Sequence, residues 1–192
     1  MIPKIPAGPV RKPRYLKIAE SRLGGRGVFP TRPIPKGTLL LEYLGERISH
    51  AEASERYYAA ARPDAFVLLF TVDRKVVIDG GVGGRTARYV NHSCAPNCEA
   101  DEIGGRIFIS SICDIPAGAE LTYDYNLQAP RPLPRDWRQR YACRCGATRC
   151  RGTIAVRPKK RPRPISNAAQ RARTTENAGA DPNATRRKRS TR

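Results

Sequence analysis

Three cysteines stand within eight residues, Cys143-Arg-Cys145-Gly-Ala-Thr-Arg-Cys150, around a glycine turn. A disulfide between Cys143 and Cys145 would close a strained, very small ring. Three thiolates converging at this spacing suit Zn²⁺, which takes four tetrahedral ligands in structural sites. The local run supplies three, so a fourth must come from elsewhere: Cys94, Cys98, Cys113, His50 or His92. Spacing does not choose among them. The plainer alternative is a set of free thiols in a poorly ordered end.

The elements that must position this cluster read as short strands and tight turns between Tyr15 and about Val156. Tyr15–Ala19 alternates as a half-buried strand does, Gly24–Gly27 is a turn, and Val28-Phe29 leads to a second turn at Pro33–Gly37. Thr38–Tyr43 and Phe66–Val72 are β-rich, the second feeding a hairpin through Asp73-Arg74 into Val76–Ile78. Arg106–Ile112 and Glu120–Tyr125 follow, with Pro116-Ala117-Gly118 turning between them. Ser49-His50-Ala51-Glu52 is a capping box that predicts a helix ending at Arg62, before Pro63, and Arg135–Tyr141 predicts a shorter one.

Of the 192 residues, 40% are apolar, and the formal charge is +19. A charge of that size implies an acidic partner, or a basic substrate held on nucleic acid. About half of it falls between Arg157 and Arg192, where twelve Lys/Arg face only Glu176 and Asp181. That stretch has almost nothing to bury and reads as a disordered basic tail. Residues 1–14, rich in proline and basic residues, read as a flexible lead-in without the apolar core of a secretory signal. No run is long enough to span a membrane. The expectation is a soluble protein of the cytoplasm, nucleoid or chromatin, with delivery into a host cell left open.

The run Arg88-Tyr89-Val90-Asn91-His92-Ser93-Cys94-Ala95-Pro96-Asn97-Cys98 resembles the central signature of the SET-domain methyltransferases. Gly25-Arg26-Gly27, Glu42–Glu46 and Glu120–Tyr125 resemble three more of the family's motifs in the family's order. Cys143–Cys150 is similar to its post-SET zinc cluster. The resemblance covers roughly residues 15–156 and implies a mainly β (α+β) fold of small sheets with a pseudoknot and short helices. In that fold Asn91–Cys94 lies against the catalytic strand. It divides the chain into a lead-in at 1–14, a SET domain at 15–128, a post-SET zinc segment at 129–156 and a tail at 157–192.

The same resemblance implies protein-lysine N-methylation with S-adenosylmethionine, and it nominates Cys94 as the fourth zinc ligand beside Cys143, Cys145 and Cys150. Tyr125 would be the main catalytic tyrosine and Tyr43 would line the lysine channel. Tyr123 takes the family's Phe/Tyr switch position and implies mainly monomethylation. Backbone at Gly25, Arg26 and Gly27 would approach the methionyl end of the cofactor, and Asn91 and His92 would hold its amino-acid and adenine ends. Phe66 falls where relatives carry a cofactor-contacting tyrosine, and Arg26 where an aromatic is usual. Arg88 is expected to pack or pair structurally, with Glu42 or Asp79 as candidate partners, and to have no catalytic role. The substrate would be a basic protein (histone, histone-like or ribosomal), with nonspecific nucleic-acid contact through the tail. Two rival readings are a zinc-stabilised nucleic-acid-binding module and an inactive SET module that binds a partner.

Overall fold

The computed structural model describes residues 5–59, 68–128 and 135–156. The expectations for Phe66, for the end of the first helix, for residues 129–134 and for the tail lie outside them.

Twelve short strands form five small sheets among the described residues. β1 (Leu16–Glu20) and β2 (Arg26–Pro30) pair antiparallel, with Leu16 opposite Pro30 and Glu20 opposite Arg26. Their turn closes through Ser21 N–H to Gly25 O at 2.9 Å, and Gly25 takes a left-handed φ of 57° that favours glycine.

β3 (Leu39–Tyr43), β8 (Cys98–Ile103) and β9 (Arg106–Ser111) make a three-stranded sheet with β9 in the middle. Ile107 to Ser111 are all buried, as a strand covered on both faces requires. β8 was not predicted, because Glu99-Ala100-Asp101-Glu102 carries no apolar alternation. The local signal is Gly104-Gly105, whose φ values of 60° and 77° suit a tight hairpin turn.

β4 (Glu46–Ser49), β5 (Leu69–Thr71) and β6 (Val76–Asp79) form the other three-stranded sheet, order β4-β6-β5. The expected hairpin is present, with Asp73 Oδ1 accepting from Lys75 N–H and Val76 N–H. Ser49 caps α1 (His50–Ser54) by accepting from Glu52 N–H at 3.1 Å. The helix then widens at Glu55–Ala59. There Arg56 reaches Glu46 and Glu52, and Tyr57 donates to Asp79 at 2.6 Å.

The remaining pairings are long-range. β7 (Asn91–His92) runs parallel to β10 (Thr122–Tyr123), Asn91 beside Thr122 and His92 beside Tyr123. This places the Asn91–Cys94 segment against the Glu120–Tyr125 segment, the juxtaposition that the SET resemblance implies. β11 (Leu127–Gln128) pairs in parallel with β12 (Ala155–Val156), after a short helix α2 (Trp137–Arg140). The main core gathers Val28, Leu40, Ile107, Ile109, Ile115 and Leu121.

Two buried acids have partners that differ from the expectation. Glu42 accepts from Arg106 Nε and Nη2, both at 2.8 Å, and from Val10 N–H at 3.0 Å. The same guanidinium donates to the carbonyls of Pro6 and Gly8, so part of the lead-in lies along β3 and β9. Asp79, fully buried, is satisfied by Tyr57, Arg56 and Gly81 N–H. Arg88 therefore pairs with neither acid. It lies over the Tyr89 ring and contacts Gly81 O at 3.5 Å. Among the described residues no helix is long and apolar enough to cross a membrane.

Candidate active site and metal centre

The four cysteines Cys94, Cys143, Cys145 and Cys150 bring their sulfurs within 4.8 Å of one another. Cys94 Sγ lies 3.7 Å from Cys143 Sγ and 3.9 Å from Cys150 Sγ. Tetrahedral zinc with bonds of about 2.3 Å separates its sulfurs by roughly 3.8 Å. The donor set and its spacing thus fit one zinc ion. Backbone N–H groups point at the same sulfurs: Cys94 N–H at Cys145, Arg151 N–H at Cys94 and Gly152 N–H at Cys150, each at 3.4 Å. Such donors favour thiolate over thiol. Burial raises the Cys94 and Cys143 thiols. At Cys145 burial is outweighed by N–H donors from Cys94 and Ala147 and by the Cys143 and Cys150 thiols, which bring it to about 6. Cys98 sits buried in the core and Cys113 is exposed, outside the cluster.

His92 joins this cluster to the Glu120–Tyr125 segment. Its Nδ1 accepts from Tyr125 N–H at 3.1 Å, and its Nε2 faces Cys94 Sγ at 3.4 Å. An accepting Nδ1 carries no proton, so Nε2 carries it and donates to sulfur. Burial lowers the His92 pKa, with Arg151 adding to the effect and Asp124 opposing it, which keeps the ring in this neutral form.

From His92 a row of aromatic rings crosses the site. Ring centroids are separated by 5.3 Å from His92 to Tyr125, 4.9 Å to Tyr123, 6.2 Å to Phe70 and 5.3 Å to Tyr43. Tyr125 donates to Val90 O at 3.0 Å and Tyr43 to Leu68 O at 2.7 Å. The Tyr43 hydroxyl needs the bare Cα of Gly80, where a Cβ would lie 2.5 Å from it. Burial raises the pKa of all three phenols, so each is neutral at ordinary pH.

Beside Tyr125 opens a cavity of about 350 Å³, walled by Leu23, Asn91, His92, Cys143, Arg144 and Ile154 among others. That volume lies in the range of small-molecule sites. Of the predicted glycine motif, Gly25 and Arg26 border a separate hollow of about 520 Å³ with Ile18 and Glu20. A Cβ on Gly25 meets nothing within 4 Å, whereas one on Gly27 would lie 2.4 Å from Glu120 Oε1. In the protein itself, then, Gly27 makes room for a carboxylate.

A family model described as SET domain matches residues 25–126. The chain belongs to the SET-domain family. It is 37% identical over 150 residues to the histone-lysine N-methyltransferase NSD3 of Mus musculus, a match covering 74% of this chain and 10% of that protein. It is 36% identical over 143 residues to the H3 lysine-36 specific histone-lysine N-methyltransferase of Homo sapiens, covering 72% and 5%. It is also 36% identical over 150 residues to the H3 lysine-4 specific enzyme of Eremothecium gossypii, covering 75% and 15%. The chain thus corresponds to a small part of each of these proteins.

Within this SET domain the structure brings together Asn91, His92, Tyr125 and the four cysteines, and it sets Tyr123 and Tyr43 in one aromatic row. Sequence reasoning missed Phe70, which bridges that row, and Ser21, whose hydroxyl donates to both Glu120 oxygens at 2.7 and 2.8 Å. It also missed Asp124 and Arg151, which pair across the site. Phe70 had a usable signal as one of the two aromatics, with Phe66, of a predicted strand. Ser21 had none, since its partner lies 99 positions away.

Proposed function

We propose that this domain transfers a methyl group from S-adenosylmethionine to the side-chain amine of a lysine in a basic protein, mainly one methyl per lysine. The observation that carries the reading is the position of the Tyr125 ring, which meets the tyrosine and phenylalanine rings of the aromatic row on one side and walls the Asn91–His92 cavity on the other. A cofactor there supplies an electrophilic methyl group.

The chain's own residues suit that chemistry. Leu23, Asn91, His92 and Ile154 would hold the cofactor, while Tyr43, Phe70 and Tyr123 would line the path of the lysine. The neutral phenols offer hydroxyl dipoles, not a base; Tyr43 and Tyr125 donate their protons to the Leu68 and Val90 carbonyls. A lysine with a free pKa of about 10.4 must lose its proton at a cost of roughly 4–5 kcal/mol at pH 7, so that proton leaves for solvent. What the protein adds is alignment in a narrow, apolar channel. Residues 15–128 would form the SET domain and 129–156 the post-SET segment. Zinc, held by Cys94, Cys143, Cys145 and Cys150, would fix that segment as a wall of the cavity.

Relatives of equal identity are named for lysine 36 and lysine 4 of H3, so the resemblance points to histones as a class without selecting a lysine. A ribosomal or histone-like protein has the same chemistry. The test is methyl transfer from labelled S-adenosylmethionine to separate histones, ribosomal proteins and whole-cell lysate, with sites mapped by mass spectrometry. Cofactor binding without transfer to any of them would favour an inactive module. Salt-sensitive DNA binding with neither would favour a nucleic-acid-binding module.

A further inference from the structure

We infer that Glu120 is a positioning residue for the cofactor cavity: it holds the amino end of the Asn91 carboxamide, leaving Oδ1 as the polar atom offered to a ligand, and so selects an ammonium group. The inference rests on the reading that the cavity takes S-adenosylmethionine.

Asn91 Nδ2 donates to Glu120 Oε1 at 2.7 Å, to Arg26 O at 2.9 Å and to Ser21 Oγ at 3.1 Å. A carbonyl and a carboxylate only accept, so the atom between them must be the nitrogen. The usual ambiguity between the two ends of an amide does not arise. Ser21 gives its hydroxyl proton to Glu120 and accepts from Leu23 N–H at 2.9 Å, which fixes the carboxylate from the other side. Gly27 completes the arrangement, because any Cβ there would strike Glu120 Oε1. Asn91 also lines the cavity. With Nδ2 committed to Glu120, Arg26 and Ser21, Oδ1 is the carboxamide atom left to accept from a ligand, in the negative field of the carboxylate. It suits an α-ammonium and repels an α-carboxylate.

The experiment is calorimetric binding to the full chain of two ligands, S-adenosylhomocysteine and its analogue lacking the α-amino group. Wild type should prefer the amino ligand by about tenfold or more, the scale of one charge-assisted hydrogen bond. Glu120→Gln should lose about tenfold in affinity for the amino ligand and leave the analogue within roughly twofold, collapsing the preference. Ser21→Ala, which frees the carboxylate but keeps its charge, should shift the same ratio in the same direction by less, and it decides the matter if Glu120→Gln does not fold. An unchanged ratio, or equal loss for both ligands, overturns the role of Glu120 while leaving the cavity reading intact. Failure of wild type to bind either ligand overturns both.

Discussion

The Arg151 guanidinium closes on the Asp124 carboxylate with both of its terminal nitrogens, Nη2 lying 2.8 Å from Oδ1 and Nη1 in contact with Oδ2. Arg151 follows the last cysteine of the cluster, and Asp124 separates Tyr123 from Tyr125. The two-pronged pair therefore ties the cysteine segment to the Tyr123–Tyr125 segment by a contact that needs no metal. Asp124 Oδ1 also accepts from Asn126 N–H at 3.1 Å, in a residue with a left-handed φ of 45°.

Arg151→Met should loosen this attachment. The side chains are 37% and 23% exposed, so solvent screening limits the pair to about 1 kcal/mol despite its geometry. Hydrogen exchange of residues 150–156 should quicken about threefold to tenfold, with or without chelator. Arg151→Lys should recover only part of the protection, since an ammonium cannot match both oxygens. Adding Asp124→Asn to Arg151→Met should cost little more. Fully additive effects would show that the two side chains act separately.

The cysteine cluster gives the second prediction. The purified protein should carry about one zinc ion per chain, and Cys94→Ser or Cys143→Ser should each reduce that to a small fraction, because structural sites of this type need all four ligands. Cys113→Ser, outside the cluster, should leave zinc content unchanged. Since the ligands bind as thiolates, zinc should be released as pH falls. Elemental analysis of the three variants decides the point, and full zinc retention by Cys94→Ser would remove that residue from the site.

These two attachments also mark where sequence reading reached its limit. The cysteine run, the β5–β6 hairpin, β3 and β9 were legible because spacing, turn residues and apolar runs are local signals. The two-residue strands β7 and β10 have no periodicity; the family resemblance implies that their segments lie together, and the structure adds that they pair in parallel. β8 turns only the small side chains Cys98 and Ala100 to the core, between the acidic Glu99 and Asp101, so composition hid it. The helix predicted from Ser49 gives way at Glu55, where Arg56 and Tyr57 are drawn to Glu46 and Asp79. Tertiary partners there outweigh helix propensity. The glycine motif reads as space for a cofactor; Gly27 also makes space for Glu120, a partner that no local pattern announces.

The raised pKa values of Tyr43, Tyr123 and Tyr125 set the expected pH dependence. With all three phenols protonated, the rate should follow the fraction of neutral substrate lysine. Below the lysine pKa that fraction grows tenfold per pH unit, so kcat/KM should rise by about that factor per unit from pH 7 to 9 and level off only above the lysine pKa of about 10.4. Tyr125→Phe should lower the whole profile by about tenfold or more while keeping its slope. A profile that flattened in Tyr125→Phe would instead make Tyr125 the base.

Tyr123 is the place to test product number. Its side chain is buried, with rings of Phe70 and Tyr125 on either side, so little free volume surrounds the hydroxyl. Removing that oxygen enlarges the space by one heavy atom and deletes one polar restraint on the amine. Tyr123→Phe should therefore shift product from mono- toward di- and trimethyl-lysine by about fivefold or more, since one hydrogen bond is worth roughly 1 kcal/mol. The first methylation should slow far less than in Tyr125→Phe. Phe70→Ala, which opens the row without touching a hydroxyl, should weaken substrate binding but leave product ratios nearly unchanged. If Phe70→Ala raised the higher methylation states as much as Tyr123→Phe, volume alone would set product number and the Tyr123 hydroxyl would have no part in it.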